Sequence, residues 1–112
     1  MKSFEFENFI ANMFKKMGYE VEETSISRDF GADCIIKKHD DKAVVQVKHY
    51  NLHNKVGARD VREVLGARGY YRANRAIIVT SSYFTREAHE QARGQRVQLI
   101  DRDELDDMLK SY

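Results

Sequence analysis

The chain contains no proline and only one cysteine, Cys34, among its 112 residues. A single cysteine excludes an internal disulfide, which fits a reducing compartment. No apolar run approaches the length of a membrane span, and the N-terminus lacks the apolar stretch of a signal peptide. From these absences we expect a cytoplasmic protein with no membrane partner.

Linkers, internal repeats and low-complexity segments are also missing from the sequence. A length of 112 residues suits one domain, and a hydrophobic fraction of 42% is enough for a core without metal or disulfide staples. We therefore predict a single domain over residues 1–112.

Hydrophobic periodicity predicts four helices and five strands. Apolar residues recur at helical spacing up to Gly18, whereas residues 76–80 form a short apolar run typical of a strand covered on both faces. The predicted helices are 4–17, 57–72, 85–93 and 103–110, with Thr85 and Asp103 as N-caps. The predicted strands are 19–26, 32–39, 42–50, 76–80 and 97–100, with a loop at 28–31. The order α-β-β-β-α-β-α-β-α indicates an α/β fold with a mixed sheet flanked by helices.

The second and third predicted strands form a hairpin that brings polar residues together. With Asp40-Asp41 as a two-residue turn, Asp33 would lie opposite Lys48, and Gln46 would be a diagonal neighbour of Asp33. Side chains alternate along a strand, so Asp33, Gln46 and Lys48 would share one face and Cys34 would point to the other, apolar face.

A carboxylate, an amide and an ammonium on one face are costly to bury unless they serve each other or a ligand. They are also the groups that a phosphodiester hydrolase needs, since Asp33 and the Gln46 carbonyl suit a hard cation such as Mg²⁺ and Lys48 can orient water. Because Gln46 is neutral, this site is one negative charge short, and Glu7 on the first helix is the candidate to supply it. The plainer alternatives are that Asp33 ends a turn, that Lys48 pairs with it structurally, and that Glu7 complements the helix dipole.

The central part of the chain is basic although the whole chain carries a net charge of only +1. Between Lys42 and Arg75 there are eight Lys and Arg residues against two acidic residues, a net charge of +6. Such a stripe can neutralise nucleic-acid phosphates, or it can be an ordinary solvated helix face. The predicted DNA contacts are Lys55, Arg59, Arg62, Arg68, Arg72 and Arg75, with a minor role for His49. Of these, residues 68, 72 and 75 would share a helical face.

The hydroxyls of Thr80, Ser81 and Ser82 match no serine-hydrolase motif. We interpret them as groups facing phosphate or capping the next helix.

Gly31-Ala32-Asp33 followed by Gln46-Val47-Lys48 resembles the Mrr-like branch of restriction-endonuclease-like nucleases, which carry a D…QxK variant of the PD-(D/E)xK motif. The similarity extends over almost the whole chain. It includes Phe6-Glu7, the Val56-Gly57 segment, the strand ending at Thr80-Ser81-Ser82, Phe84-Thr85 and Leu99-Ile100-Asp101.

The resemblance implies a nuclease fold and Mg²⁺-dependent cleavage of DNA, with Mn²⁺ as a substitute. It implies that Asp33, Gln46 and Lys48 form the catalytic site and that Glu7 assists. A homodimer is expected because one site cuts one strand, and a separate recognition domain or subunit is a further expected partner. The alternatives are a structure-selective nuclease resembling Holliday-junction resolvases, a non-catalytic DNA-binding module with the nuclease fold, and a subunit that is inert without its partner.

Overall fold

A computed structural model describes residues 1–23 and 32–111. The predicted order α-β-β-β-α-β-α-β-α is confirmed. The helices are α1 (Ser3–Lys16), α2 (Ala58–Tyr70), α3 (Arg86–Ala92) and α4 (Arg102–Ser111). The strands are β1 (Glu20–Glu23), β2 (Cys34–Lys38), β3 (Asp41–Lys48), β4 (Arg75–Thr80) and β5 (Val97–Ile100). The end of the predicted first strand and the loop predicted at 28–31 lie outside the described residues.

The five strands form one mixed sheet in the order β1-β2-β3-β4-β5. β1, β2 and β3 are antiparallel, whereas β3, β4 and β5 are parallel. The carboxyl ends of β3 and β4 therefore lie at the same edge, where ligands of open α/β sheets commonly bind.

Two apolar clusters cover the two faces of this sheet. On one face α1 and α4 pack against the sheet through residues that include Phe14, Leu105, Cys34, Val45 and Val79. On the other face α2 and α3 pack through Val61, Val64 and Ala88 onto Val44 and Ile78. β4 is buried on both faces, as its apolar sequence predicts.

Helix ends follow local signals in the sequence, with one exception. Gly18 has a φ of +97° directly after α1, in the left-handed region that favours glycine at a helix end. The Thr85 side chain accepts a hydrogen bond from the Ala88 N–H and caps α3 as predicted. The predicted cap Asp103 is wrong: α4 begins earlier, and the carboxylate of Asp101 accepts from the Glu104 N–H at 3.0 Å.

The hairpin register differs from the prediction by two residues. Lys38 pairs with Asp41, so the turn is His39-Asp40 and not Asp40-Asp41. His39 adopts a positive φ of 57°, and the Asp41 carboxylate is bound to Arg75 instead of belonging to the turn. Cys34 pairs with Val45, so the same register places Asp33, the residue just before β2, across from Gln46 and not across from Lys48.

A shift of two residues keeps every side chain on its original face, whereas a shift of one would reverse them all. The prediction that Cys34 faces the apolar side is confirmed, since it lies in the cluster beneath α1.

Among the described residues, no helix combines the length and the apolar character that crossing a bilayer requires.

Candidate active site

Asp33 and Gln46 are in direct contact at the carboxyl end of β3. The Gln46 Nε2 donates a hydrogen bond to Asp33 Oδ2 at 3.2 Å, and the Val47 N–H donates to the same oxygen at 2.6 Å. The Asp33 N–H donates to the Val45 carbonyl at 2.7 Å, which ties the residue to the edge of the hairpin. The carboxylate is thus held by a backbone amide and a side-chain amide.

Gln46 is buried, with 8% of its surface exposed. Its Nε2 is used by Asp33, and its Oε1 has no hydrogen-bond partner within the described part of the chain. A buried acceptor without a partner is unfavourable by roughly 1–3 kcal/mol. The Gln46 Oε1 is therefore an oxygen for which a ligand would compensate.

Lys48 lies two residues further along β3 and contacts α2. Its Nζ is 3.3 Å from Asp60 Oδ1, and the two side chains are only 19% and 18% exposed. The Gly57 N–H donates to Asp60 Oδ2 at 3.3 Å, so the same carboxylate supports the first turn of α2. Asp60 was not predicted from the sequence as a site residue, because an acidic residue three positions after Gly57 indicates only the start of a helix.

The hydroxyls of Thr80 and Ser81, at the end of the neighbouring strand β4, hold the backbone at this edge of the sheet. The Thr80 Oγ1 donates to the Lys48 carbonyl at 2.8 Å, and the Ser81 Oγ donates to the Tyr50 carbonyl at 2.8 Å while accepting from the Tyr50 N–H. Thr80 and Ser81 therefore fix the end of β3, and the next helix is capped by Thr85 instead. The Ser82 Oγ is buried and has no partner among the residues described.

Glu7 lies on α1, which packs on the opposite face of the sheet from α2. The pKa of the Cys34 thiol is raised to about 12, mainly by burial and then by the carboxylates of Asp33, Glu23 and Glu7. These three carboxylates therefore lie around the start of β2. Glu23, directly across from Cys34, is a neighbour that the sequence did not indicate.

His49 stacks on Phe6 of α1, with ring centroids 4.9 Å apart.

The predicted DNA-contacting side chains fall into two groups. Lys55 precedes α2, whereas Arg59 and Arg62 lie in its first turns, with Arg59 next to Asp60, the residue that contacts Lys48. The Arg62 Nη1 donates to Gln91 Oε1 of α3 at 3.4 Å.

Arg68, Arg72 and Arg75 lie near the other end of the sheet. The helical face expected for residues 68, 72 and 75 is wrong, because α2 ends at Tyr70 and Arg75 begins β4. The Arg75 guanidinium binds the Asp41 carboxylate through Nε and Nη2 at 2.9 to 3.1 Å.

No group of three His, Cys, Asp or Glu side chains within residues 1–23 and 32–111 is arranged to hold a metal ion. The donor set that fits a hard divalent cation is the Asp33 carboxylate with the unpartnered Gln46 Oε1 beside it. Mg²⁺ keeps several waters and takes few protein oxygens, so two adjacent oxygen donors suit it.

Comparisons with known proteins identify the family of the chain. The sequence matches the Mrr_cat family, described as restriction endonuclease, over residues 1–109. A comparison with the curated proteins gave no significant match.

Three solved structures share the fold. The DNA modification-dependent restriction endonuclease AspBHI superposes with a TM-score of 0.80 at 21% identity, over 96% of this chain and 31% of that one. A protein of unknown function, AF1548, gives 0.79 at 15% identity, over 92% of this chain and 62% of that one. The MspJI restriction endonuclease in complex with a 27-mer oligonucleotide gives 0.69 at 22% identity, over 94% of this chain and 27% of that one. The chain thus spans less than a third of AspBHI and of MspJI.

Proposed function

Because the chain belongs to the Mrr_cat family of restriction endonucleases, we propose that it is a metal-dependent endonuclease that hydrolyses phosphodiester bonds of DNA. The observation that carries this proposal is the buried, unpartnered Gln46 Oε1 beside the Asp33 carboxylate, on the strand that also presents Lys48. Asp33 and Gln46 would hold Mg²⁺, or Mn²⁺ in its place, with Glu7 assisting from the α1 side. A cation held there supplies Lewis acidity toward the phosphate and the attacking water.

The protein's own groups have separable roles in this proposal. Asp33 is oriented by two N–H donors, so its carboxylate is fixed before a ligand arrives. Gln46 is oriented by donating its Nε2 to Asp33, which directs the other end of its amide as an acceptor. The Lys48 ammonium orients the attacking water and offsets the negative charge that develops on the phosphate.

DNA is the proposed substrate and partner. Arg59 lies in the first turn of α2 next to Asp60, which contacts Lys48, and we propose that Arg59, Lys55 and Arg62 contact phosphates without selecting sequence. Since AspBHI and MspJI are more than three times longer than the segment matched here, we propose that selection of a DNA site requires a further domain or subunit. Cutting both strands would require two copies of the site, and a homodimer provides them.

The test is cleavage of supercoiled plasmid with MgCl₂, with and without EDTA. We expect nicked or linear DNA from the wild-type chain and none with EDTA. Asp33→Asn keeps an acceptor for the Val47 N–H but removes the charge, and Lys48→Met removes the ammonium. Each should lower the cleavage rate by at least about a hundredfold.

The matched control is Lys37→Met, which removes an exposed lysine of β2 that pairs with Glu22. Its activity should equal that of the wild type. Cleavage that persists undiminished in both Asp33→Asn and Lys48→Met would reject the site. Cleavage of four-way junctions in preference to linear duplex would favour the resolvase-like alternative instead.

A further inference from the structure

Asp60 and Lys48 form an ion pair that is largely removed from water. Their side chains are 18% and 19% exposed, whereas the other ion pair of α2, between Arg59 and Glu63, has 86% and 45% exposure. Exposed pairs at helical spacing contribute little because solvent screens them. The Asp60–Lys48 pair is less exposed, so solvent screens the two charges less than those of the Arg59–Glu63 pair.

Asp60 is also held in place independently of Lys48. Its Oδ2 accepts the Gly57 N–H, and its position in the first turn of α2 is favourable for a carboxylate. The buried Val61 and Val64 anchor that helix to the sheet. The Asp60 carboxylate is thus fixed in position, and its contact with the Lys48 ammonium restricts a side chain that is otherwise long and flexible.

Asp60 offsets the positive charge that Lys48 brings to the site. Asp33 contributes one negative charge, Gln46 contributes none, and Lys48 contributes one positive charge. Glu7 lies on α1, which packs on the opposite face of the sheet, whereas Asp60 contacts Lys48 directly. With Asp60 included, the group carries a net negative charge.

We infer that Asp60 is a further carboxylate of this site and the positioning residue for Lys48. It fixes the ammonium at the edge of β3 and offsets its charge, so that Asp33 and Gln46 retain affinity for a divalent cation. This inference rests on the proposed function and assigns it a residue outside the D…QxK motif.

Calorimetric titration of the chain with MgCl₂ tests the charge role without DNA or cleavage. Asp60→Asn keeps an acceptor for the Gly57 N–H while removing the charge, and it should weaken Mg²⁺ binding by on the order of tenfold. Lys48→Met should strengthen Mg²⁺ binding. The double variant should return close to the wild-type affinity, because both charges of the pair are gone.

The positioning role is tested by steady-state cleavage of DNA. Asp60→Asn should lower kcat with little change in KM, since the ammonium loses its place while the groups that bind phosphate stay intact. Asp60→Glu keeps a charge and a residue type common at this position of a capping box, so it should recover part of both properties. Glu90→Gln removes an exposed carboxylate that pairs with Arg86 on α3, and it should leave Mg²⁺ affinity and cleavage unchanged.

The outcomes separate this inference from the function on which it rests. Wild-type protein that neither binds Mg²⁺ nor cuts DNA would reject the proposed function itself. If the wild-type protein does both, and Asp60→Asn binds Mg²⁺ as tightly and cleaves DNA as fast as the wild type, only the role of Asp60 is overturned. Thermal denaturation of each variant establishes whether it is folded. If Asp60→Asn is unfolded, the Mg²⁺ affinities and cleavage rates of Asp60→Glu and Lys48→Met decide by the same criteria.

Discussion

Gln46 is a buried residue with one side-chain polar atom in a hydrogen bond and one without a partner. Its Nε2 donates to Asp33 Oδ2, and its Oε1 has no partner among the described residues. A glutamate at this position would resemble the acidic form of the PD-(D/E)xK motif, but it could not donate to Asp33. The neutral amide therefore holds the Asp33 carboxylate without adding a second negative charge beside it.

Gln46→Glu tests this balance. Two neighbouring carboxylates at a buried position repel each other, so without metal the variant should be less stable than the wild type by roughly 1–3 kcal/mol. Adding MgCl₂ should raise the Tm of Gln46→Glu more than that of the wild type, because a cation would offset the added charge. Thermal denaturation with EDTA and with MgCl₂ measures both effects, and equal Mg²⁺ shifts in the two proteins would contradict the site.

At the scale of elements, Arg75 connects three strands at the edge opposite the candidate site. Its guanidinium binds Asp41 at the start of β3 and donates to the Tyr19 hydroxyl beside β1 at 3.0 Å. The hydrogen bonds from Arg75 lower the pKa of the Asp41 carboxyl, and the positive charge of Arg75 adds to this effect. Arg75 therefore joins the hairpin to β4 and does not extend a helical face toward DNA.

This pair should make stability depend on pH. The pKa of Asp41 is lower in the folded chain than in the unfolded chain. The ion pair therefore stabilises the fold fully above the pKa of an unfolded aspartate, about 3.9, and this stabilisation is lost as the pH falls through the pKa that Asp41 has in the folded chain. Asp41→Asn should cost roughly 1 kcal/mol at pH 7, discounted for the partial exposure of the pair. Urea denaturation from pH 7 to pH 2.5 should show the difference from wild type shrinking at acid pH. Glu22→Gln, in an exposed pair with Lys37, should change stability by less than about 0.5 kcal/mol, and a destabilisation of similar size in both variants would contradict a special role for Arg75.

At the scale of the whole molecule, the basic stripe of the sequence is divided between two edges of the sheet. The Lys42 Nζ donates to the Tyr71 carbonyl, which places the end of α2 beside the start of β3. Lys42 and Lys48 are six residues apart on that strand, a distance of about 20 Å. Arg68 and Arg72 are therefore far from Lys48, whereas Arg59 is next to Asp60, which contacts Lys48.

Binding of DNA should distinguish these two groups. In an Asp33→Asn background, replacing both Lys55 and Arg59 with Gln should weaken duplex binding and reduce the slope of log affinity against log salt by about 1 for each phosphate that is no longer neutralised. Replacing Arg68 and Arg72 with Gln removes the same charge and serves as the control. Fluorescence anisotropy across a salt series measures both slopes, and equal reductions in affinity would show that the far edge also binds DNA.

The sequence by itself determined the element order and the faces on which side chains lie. Strand alternation has a period of two, so the prediction that Asp33 and Gln46 share a face was unaffected by a register error of two residues. The local cap of α3 at Thr85 and the helix end at Gly18 were also predictable, because each depends on atoms only a few residues away.

Only the tertiary structure decided the register of the hairpin, the partner of Lys48 and the location of the arginines. In the observed register Asp41 begins β3 and is bound by Arg75, which is 34 residues away in sequence. Asp60 meets Lys48 because α2 packs on that face of the sheet, a result of burying Val61 and Val64 that no local pattern specifies. Asp33 and Lys48 therefore followed from the motif, whereas Asp60 emerged only when the helix and the strand were placed together.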